Sequence, residues 1–260
     1  MKNNLYIITG ASRGLGLELA QQLLGAGNQL LCVSRNQNAG LAHAAQAAGA
    51  TLEQWPLDLD HGLAAGSMLL QWLQKPGFAK RFSSATLINN AAALPAIAPL
   101  RHTGGDDIAR VMRVGLEAPL HLSAAFLQAT SGWTDADGNP TQRKLLNISS
   151  GLGRRAMASQ ALYCAVKAGI DHFTRCLALE EALVPNGAKV CALAPGVIDT
   201  DMQVQLRSTD AGRFPDRDSF LNLKANAQLL TAAQCAQKVL AVLDRADFGS
   251  NPVADIRDAA

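Results

Sequence analysis

The feature that most constrains the fold is the alternation, along the whole chain, of short apolar runs with amphipathic stretches. Seven runs are typical of β-strands: LYIIT (5–9), QLLCVS (29–34), TLEQWPLDL (51–59), ATLINNAA (85–92), KLLNISS (144–150), KVCALAPG (189–196) and PVADIR (252–257). Stretches of helical periodicity lie between them, and the longest covers 106–130. Strands that alternate with crossover helices form parallel sheets. The sequence therefore predicts an α/β fold, a doubly wound parallel sheet of about seven strands with helices on both faces.

The chain is long enough for one large domain. It has 260 residues, of which 48% are hydrophobic, and it shows no internal repeat or linker. Residues 196–230 carry few strand signals and follow a strand end, where α/β folds place segments that cover a substrate. We expect a single domain, 1–260, with 196–230 as the substrate-covering segment.

Composition excludes several classes of partner. The net charge is only +2, with no basic stretch of the kind that binds nucleic acid or an acidic membrane, and no apolar run is long enough to span a bilayer. Five scattered cysteines without a C-x-x-C pair indicate reduced thiols, not disulfides or a zinc site. Because MKNNLYIITG enters a strand at once, no signal peptide is expected. We expect a cytoplasmic protein without a metal, whose partner is a small molecule.

A glycine-rich loop follows the first predicted strand. TGASRGLG (9–16) places glycines at 10, 14 and 16, which let the backbone turn tightly and approach a pyrophosphate at the start of a helix. Glycines also occur in ordinary strand–helix turns. The position of the loop in a repeating α/β series favours a dinucleotide site.

The end of the second predicted strand indicates which dinucleotide is bound. An acidic side chain there is usual in proteins that bind NAD, but this chain has Ser34, Arg35 and Asn36. Arg35 can pair with a 2′-phosphate, and Arg13 can approach it from the glycine loop. NADP(H) is therefore favoured over NAD(H). The alternative is that both arginines are solvated surface charges.

ALYCAVKAG (161–169) places Tyr163 and Lys167 four residues apart, on one face of a predicted helix. That face adjoins an apolar stripe, so the pair borders the core. A phenol has a pKa of about 10, and a nearby ammonium is expected to lower it by stabilising the phenolate. The sequence thus indicates a proton donor. The alternative is an ordinary tyrosine–lysine pair on a helix surface.

Together these features resemble the short-chain dehydrogenase/reductase family over nearly the whole chain. The resemblance rests on TGASRGLG, Asp58 and Leu59 after the third strand, NNAA (89–92), Ser150, Tyr163 with Lys167, and PGVIDT (195–200). IITGASRGLG, PGVIDTDMQ, RFPDRDSF and DIRD are most similar to the sepiapterin reductase and benzil reductase branch. The resemblance implies a Rossmann-type sheet and an NADPH-dependent carbonyl reductase.

The resemblance also implies which residues bind the cofactor. They are Gly10, Ser12, Arg13, Gly14, Leu15, Gly16, Arg35, Asp58, Leu59, Asn89, Ala91, Tyr163, Lys167, Pro195, Gly196, Val197 and Thr200. Asp58 and Leu59 would flank the adenine. Asn89 and Ala91 would lie at the adenosine ribose, and Val197 with Thr200 at the nicotinamide amide.

The implied catalytic residues are Ser150, Tyr163 and Lys167. NADPH would deliver hydride to a carbonyl while Tyr163 donates the proton, and Ser150 and Tyr163 would hold the developing oxyanion. Lys167 would bind the nicotinamide ribose as well as act on the phenol. Asp255 would join Ser150 and Tyr163 in binding the substrate; otherwise it is an exposed terminal residue.

The chain departs from the family pattern at Gly115. Family members have an asparagine in the fourth helix that helps to hold a water linked to the active-site lysine, and VGLEAPL aligns Gly115 with it. Either a backbone carbonyl and a water replace that amide, or the chain is a weakly active NADPH-binding sensor. We favour a working reductase.

The expected substrate is a vicinal dicarbonyl or an aromatic ketone. A second possibility is a 3-oxoacyl thioester, which would require a basic docking patch that the sequence does not show. The Ala-rich run HLSAAFLQA suits close helix contact, and the resemblance implies a homodimer or homotetramer.

Overall fold

The structure, a computed structural model, describes residues 3–258. Seven strands form one sheet: β1 (Asn4–Thr9), β2 (Asn28–Ser34), β3 (Thr51–Pro56), β4 (Ser84–Asn89), β5 (Gln142–Ile148), β6 (Lys189–Ala194) and β7 (Val253–Asp255). Their order is β3-β2-β1-β4-β5-β6-β7, and every neighbouring pair is parallel. The predicted doubly wound parallel sheet is confirmed.

Helices cover both faces of the sheet. They are α1 (Gly14–Gln22), α2 (Ala39–Ala47), α3 (Gly62–Leu73), α4 (Gly105–Met112), α5 (Ala118–Thr130), α6 (Ala161–Ala182), α7 (Asp201–Ser208), α8 (Arg217–Ala225) and α9 (Ala232–Leu243). Successive strand residues point to opposite faces, so Leu5 and Ile7 pack in a core with α3 and α5. Ile8 packs in a second core with α1 and α9.

Three stretches differ from the sequence prediction. β3 ends at Pro56, and 59–61 form a 3₁₀ turn. The helix predicted over 106–130 is divided by a π-helical turn at Arg113–Glu117. α9 is not assigned by the sequence analysis, although Thr231 and Gln234 form a capping box at its start.

The strand order places a crevice at the carboxyl edge of the sheet. β1 and β4 are neighbours, and the chain runs outward from them in opposite directions. Loops that follow β1 and β4 therefore separate at that edge and leave space for a ligand. No helix within residues 3–258 is both long and apolar enough to cross a membrane.

The cysteines are all free thiols. Burial raises the pKa of Cys32 and of Cys235 to about 12, and that of Cys191 to about 11. A thiol with so high a pKa stays protonated and unreactive at neutral pH. These three side chains therefore serve as small apolar residues of the core.

Candidate active site

Two cavities, each of about 620 Å³, lie at the carboxyl edge of the sheet. The first, here the glycine-loop cleft, is lined by Gly10, Ser12, Arg13, Gly14, Arg35, Asp58, Leu59 and Ala91 among others. The second, the Tyr163 cavity, is lined by Ser150, Tyr163, Lys167, Pro195, Gly196, Val197 and Asp255 among others. Both are lined by Asn90, Ala92, Leu94, Thr200 and Met202, so the two cavities join.

The glycine loop is shaped by close backbone contacts. Gly10 has a φ of +69°, and a Cβ atom there would lie 2.9 Å from Asn90 Nδ2. A Cβ on Gly16 would lie 2.3 Å from the Gly10 carbonyl oxygen. Only glycine fits at either position. The loop thus exposes its backbone to the cleft at the start of α1, where a phosphate is favoured.

Arg35 lies at the carboxyl end of β2, where it lines the cleft and is exposed to solvent. Within residues 3–258 its guanidinium has no hydrogen-bond or ion-pair partner. Arg13, the other arginine predicted to bind a phosphate, forms an ion pair with Asp201 at the start of α7. The basic group free to meet an anion at this end of the cleft is therefore Arg35.

Asp58 lines the cleft beside an arginine that the sequence analysis does not select. Arg110 of α4 donates to the Asp58 carboxylate over 3.3 Å, and it also lines the cleft. The Asp58 side chain accepts a hydrogen bond from the Asp60 backbone as well, which holds the 3₁₀ turn after β3. Asp58 is thereby fixed at the wall of the cleft, and its contact with the adenine stays a prediction.

The three predicted catalytic residues meet in the Tyr163 cavity. Ser150 follows β5, and its hydroxyl accepts a hydrogen bond from the Leu152 backbone over 3.2 Å. Lys167 is only 4% exposed, and its ammonium donates to the Ile148 carbonyl over 2.7 Å. The Lys167 nitrogen lies 5.6 Å from the centre of the Tyr163 ring. Helix α6 thus holds the phenol and the ammonium opposite the serine at the end of β5.

The electrostatics differ from the sequence expectation. Burial raises the pKa of Tyr163, while its hydrogen bond with Ser150 acts in the opposite direction. Burial lowers the pKa of Lys167 to about 8, against the opposing effect of Asp171. Because burial outweighs the hydrogen bond with Ser150, the pKa of Tyr163 is raised, so the expectation of a lowered phenol pKa is wrong for this structure.

Two residues expected at the cofactor line neither cavity. Gly16 is buried under the glycine loop. Asn89 is 5% exposed, and its amide donates to Asn147 over 2.9 Å and to Ser123 over 3.2 Å. Leu15, in contrast, lies in the wall of the Tyr163 cavity.

Asp255 is buried at the wall of the Tyr163 cavity, with 5% of its surface exposed. Its two carboxylate oxygens accept from Arg257, over 2.8 and 2.7 Å. Arg257 and the backbone contact lower the pKa of Asp255. A substrate at this wall meets an aspartate that already has a bidentate partner.

Several cavity residues are not identified from the sequence. They include Leu152, Arg154, Arg155, Met157, Gln160, Leu206, Phe220 and Arg257. Gln160 precedes Tyr163 by three residues at the start of α6. That helical spacing in the sequence places Gln160 on the same face as Tyr163, so it could have identified Gln160. Phe220 and Leu206 lie within 196–230, whose two ends are joined because the Leu230 amide donates to the Val197 carbonyl over 3.0 Å.

Comparison with known proteins identifies the family. Residues 4–211 match the family model described as short chain dehydrogenase. The chain belongs to the short-chain dehydrogenase family. It is 31% identical to a benzil reductase ((S)-benzoin forming) from Bacillus cereus over 250 residues, which cover 95% of this chain and 96% of that protein. It is also 31% identical to a sepiapterin reductase from Xenopus tropicalis over 266 residues, or 98% and 96% of the two chains.

A solved structure is similar over the same extent. It is described as a 2-deoxy-d-gluconate 3-dehydrogenase from Agrobacterium tumefaciens with bound NADP, and it is 25% identical, with a TM-score of 0.76. The match covers 98% of this chain and 95% of that one. The chain is thus a short-chain dehydrogenase, an oxidoreductase that acts on alcohol or ketone groups, near the benzil and sepiapterin reductase branch.

The residue at the family's asparagine position lies inside the π-helical turn. A Cβ on Gly115 would lie 2.7 Å from Cγ1 of Val166, closer than two such atoms can approach. Val166 is 2% exposed and lies between Tyr163 and Lys167 in α6. Glycine at 115 therefore allows α6 of this short-chain dehydrogenase to pack closely against the turn.

This contact yields a prediction for restoring the family residue. Gly115→Asn alone should destabilise the fold by about 1–3 kcal/mol through overpacking, and it should lower turnover because Val166 shifts next to Tyr163. Adding Val166→Ala should recover most of the stability in urea unfolding.

The double variant also tests the proton route. We expect Gly115→Asn with Val166→Ala to turn over no faster than Val166→Ala alone, because other groups serve the lysine. A large rise in kcat of the double variant would contradict this and show that the missing amide limits proton supply.

Proposed function

We propose that the chain is an NADPH-dependent carbonyl reductase that transfers hydride to a vicinal dicarbonyl or an aromatic ketone. The observation that carries the proposal is the junction of the two cavities, where Ser150, Tyr163 and Lys167 converge beside the glycine-loop cleft. The substrate enters the Tyr163 cavity, and the dinucleotide occupies the cleft.

The residues of the cleft fit NADP(H). Gly10 and Gly14 line the cleft without a side chain, which suits a pyrophosphate. Arg35 offers a guanidinium for the 2′-phosphate, and β2 ends at Ser34 without an acidic side chain that would repel it. Val197 and Thr200 lie at the nicotinamide end. When bound, NADPH supplies the hydride.

The side chains of the Tyr163 cavity serve the other half of the reaction. Ser150 donates a hydrogen bond to the substrate carbonyl and, with Tyr163, holds the oxygen as it takes up the electron pair of the C=O bond. Tyr163 then gives that oxygen its proton, which yields an alcohol. Lys167, charged at neutral pH, stabilises the resulting phenolate.

The shape of the cavity supports the substrate class. Leu94, Leu152, Met157, Leu206 and Phe220 form an apolar wall that suits an aryl group. Residues 196–230 contribute Met202, Leu206 and Phe220 to it, so we assign this segment to covering the substrate. Asp255, held by Arg257, is assigned to a polar substrate group. We expect the enzyme to act as a homodimer or homotetramer.

Removing the phenol hydroxyl tests the assignment of the proton donor. Tyr163→Phe should lower kcat by about 10²–10⁴-fold, because general acid catalysis is lost, with NADPH affinity nearly unchanged. The measurement is loss of nicotinamide absorbance with a diketone, together with NADPH titration. Tyr6→Phe, which changes the other tyrosine of the chain, on β1, is the control. Retention of most activity in Tyr163→Phe would refute the role.

Replacing the unpaired guanidinium tests the cofactor preference. Arg35→Ala should lower kcat/KM for NADPH by roughly 10–100-fold, the value of a charge-assisted hydrogen bond of about 1.5–3 kcal/mol. NADH, which lacks the 2′-phosphate, should be used as before. Arg175→Ala, at an exposed position of α6, should change neither value. An equal loss with both nucleotides would contradict the assignment.

A substrate panel tests the reaction class. The panel pairs an aromatic 1,2-diketone with the monoketone that lacks its second carbonyl, and adds a pterin ketone and a 3-oxoacyl thioester. We expect the highest kcat/KM with the diketone. Preference for the thioester would favour the acyl reductase instead, and tight NADPH binding with no turnover would favour a sensor.

A further inference from the structure

A buried carboxylate lies one helical turn beyond the lysine. Asp171 of α6 is 1% exposed, and the mechanism above does not use it. An isolated ionised carboxylate in the protein interior is strongly unfavourable, so its partners must compensate the loss of hydration. Asp171 accepts a hydrogen bond from the Ser149 hydroxyl, and its other oxygen lies 3.3 Å from Nε of Arg154.

The partner on the strand side connects Asp171 to the reacting groups. Ser149 stands between Ile148, whose carbonyl accepts the Lys167 ammonium over 2.7 Å, and Ser150. Through this one hydroxyl, Asp171 holds the segment that runs from the last residue of β5 to Ser150. The Ser149–Asp171 hydrogen bond therefore positions both Ser150 and the Ile148 carbonyl that accepts from Lys167.

The partner on the loop side completes the arrangement. Arg154 follows the 3₁₀ turn Gly151–Gly153, and its Nη2 donates to the Ala254 carbonyl of β7 over 3.2 Å. A Cβ on Gly153 would lie 2.9 Å from both the Asp171 carboxylate and the Lys167 carbonyl. The turn that follows Ser150 is thus packed directly on α6.

We propose that Asp171 is a positioning residue of the reaction, which through Ser149 and Arg154 holds the end of β5 against α6 and serves as the counter-charge of Lys167. This inference rests on the proposed function. Asp171 contacts neither substrate nor cofactor, and it acts through its neighbours.

The charges around the lysine support this role. The described groups that act on Lys167 are Asp171 and Tyr163 on α6, with Arg154 adjacent to Asp171. Burial lowers the pKa of Lys167 to about 8, and the negative charge of Asp171 opposes that effect. Loss of the Asp171 charge lets Lys167 deprotonate at a lower pH. Loss of Arg154 leaves the Asp171 carboxylate less neutralised, so Lys167 deprotonates at a higher pH.

The test compares the pH dependence of kcat for three proteins. In the wild type, kcat for ketone reduction should fall as pH rises through the pKa of Lys167. In Asp171→Asn the fall should begin at a lower pH, with kcat at neutral pH reduced about tenfold or more and NADPH affinity within about twofold. In Arg154→Gln the fall should begin at a higher pH.

A matched control separates positioning from simple destabilisation. Glu181, on the same helix, forms a partly buried ion pair with Arg143 of β5 over 3.4 Å, at the end of β5 remote from Ser150. Glu181→Gln should lower thermal stability and leave the pH dependence of kcat unchanged.

Each outcome decides between two readings. The proposal is supported if the pH at which kcat falls is lower in Asp171→Asn and higher in Arg154→Gln than in the wild type. If Asp171→Asn does not fold, the higher pH in Arg154→Gln alone tests the proposal. Unmoved pH profiles in the folded variants would overturn it. A wild type that binds NADPH but reduces no ketone would instead refute the proposed function.

Discussion

The site depends on one hydrogen bond, from the Lys167 ammonium to the Ile148 carbonyl. A charge that is 4% exposed has lost most of its hydration, so it persists only where fixed acceptors replace water. The carbonyl is the last of β5, and the lysine lies in the second turn of α6. This contact therefore ties a helix to a strand end. Tyr163, one turn earlier, and Ser150, two residues beyond Ile148, take their relative positions from it.

A second set of hydrogen bonds, between the ends of β1 and β4, shapes the cofactor side of the site. Thr9, the last residue of β1, accepts through its hydroxyl from the backbone amides of Asn90 and Ala91, over 2.9 and 3.0 Å. The Asn90 side chain donates back to the Thr9 carbonyl over 2.9 Å. The glycine loop is thus held against the end of β4. Because β4 is the neighbour of β5 in the sheet, the glycine-loop cleft and the Tyr163 cavity adjoin at one edge.

Local sequence signals account for most of the fold and for the chemical centre. Strand alternation, the glycine loop and the Tyr163–Lys167 spacing are short-range features, and each lies on the predicted element. The same reasoning misses features that depend on contacts between distant segments. Gly115 of the π-helical turn packs against Val166 of α6, and the pKa of Tyr163 is raised by burial. α9 differs, since its capping box and its apolar spacing were available in the sequence.

Gly115, at the family's asparagine position, packs against Val166 of α6. A side chain at 115 would start in the space that Cγ1 of Val166 occupies, and Val166 lies on α6 between Tyr163 and Lys167. A larger residue at 115 therefore requires a smaller one at 166. Since Lys167 cannot meet a side-chain amide from that turn, its protonation depends on the groups that do surround it. Among residues 3–258 these are the Ile148 carbonyl, the Tyr163 phenol and the charge of Asp171. The described groups that act on the lysine thus lie at the end of β5 and on α6 itself.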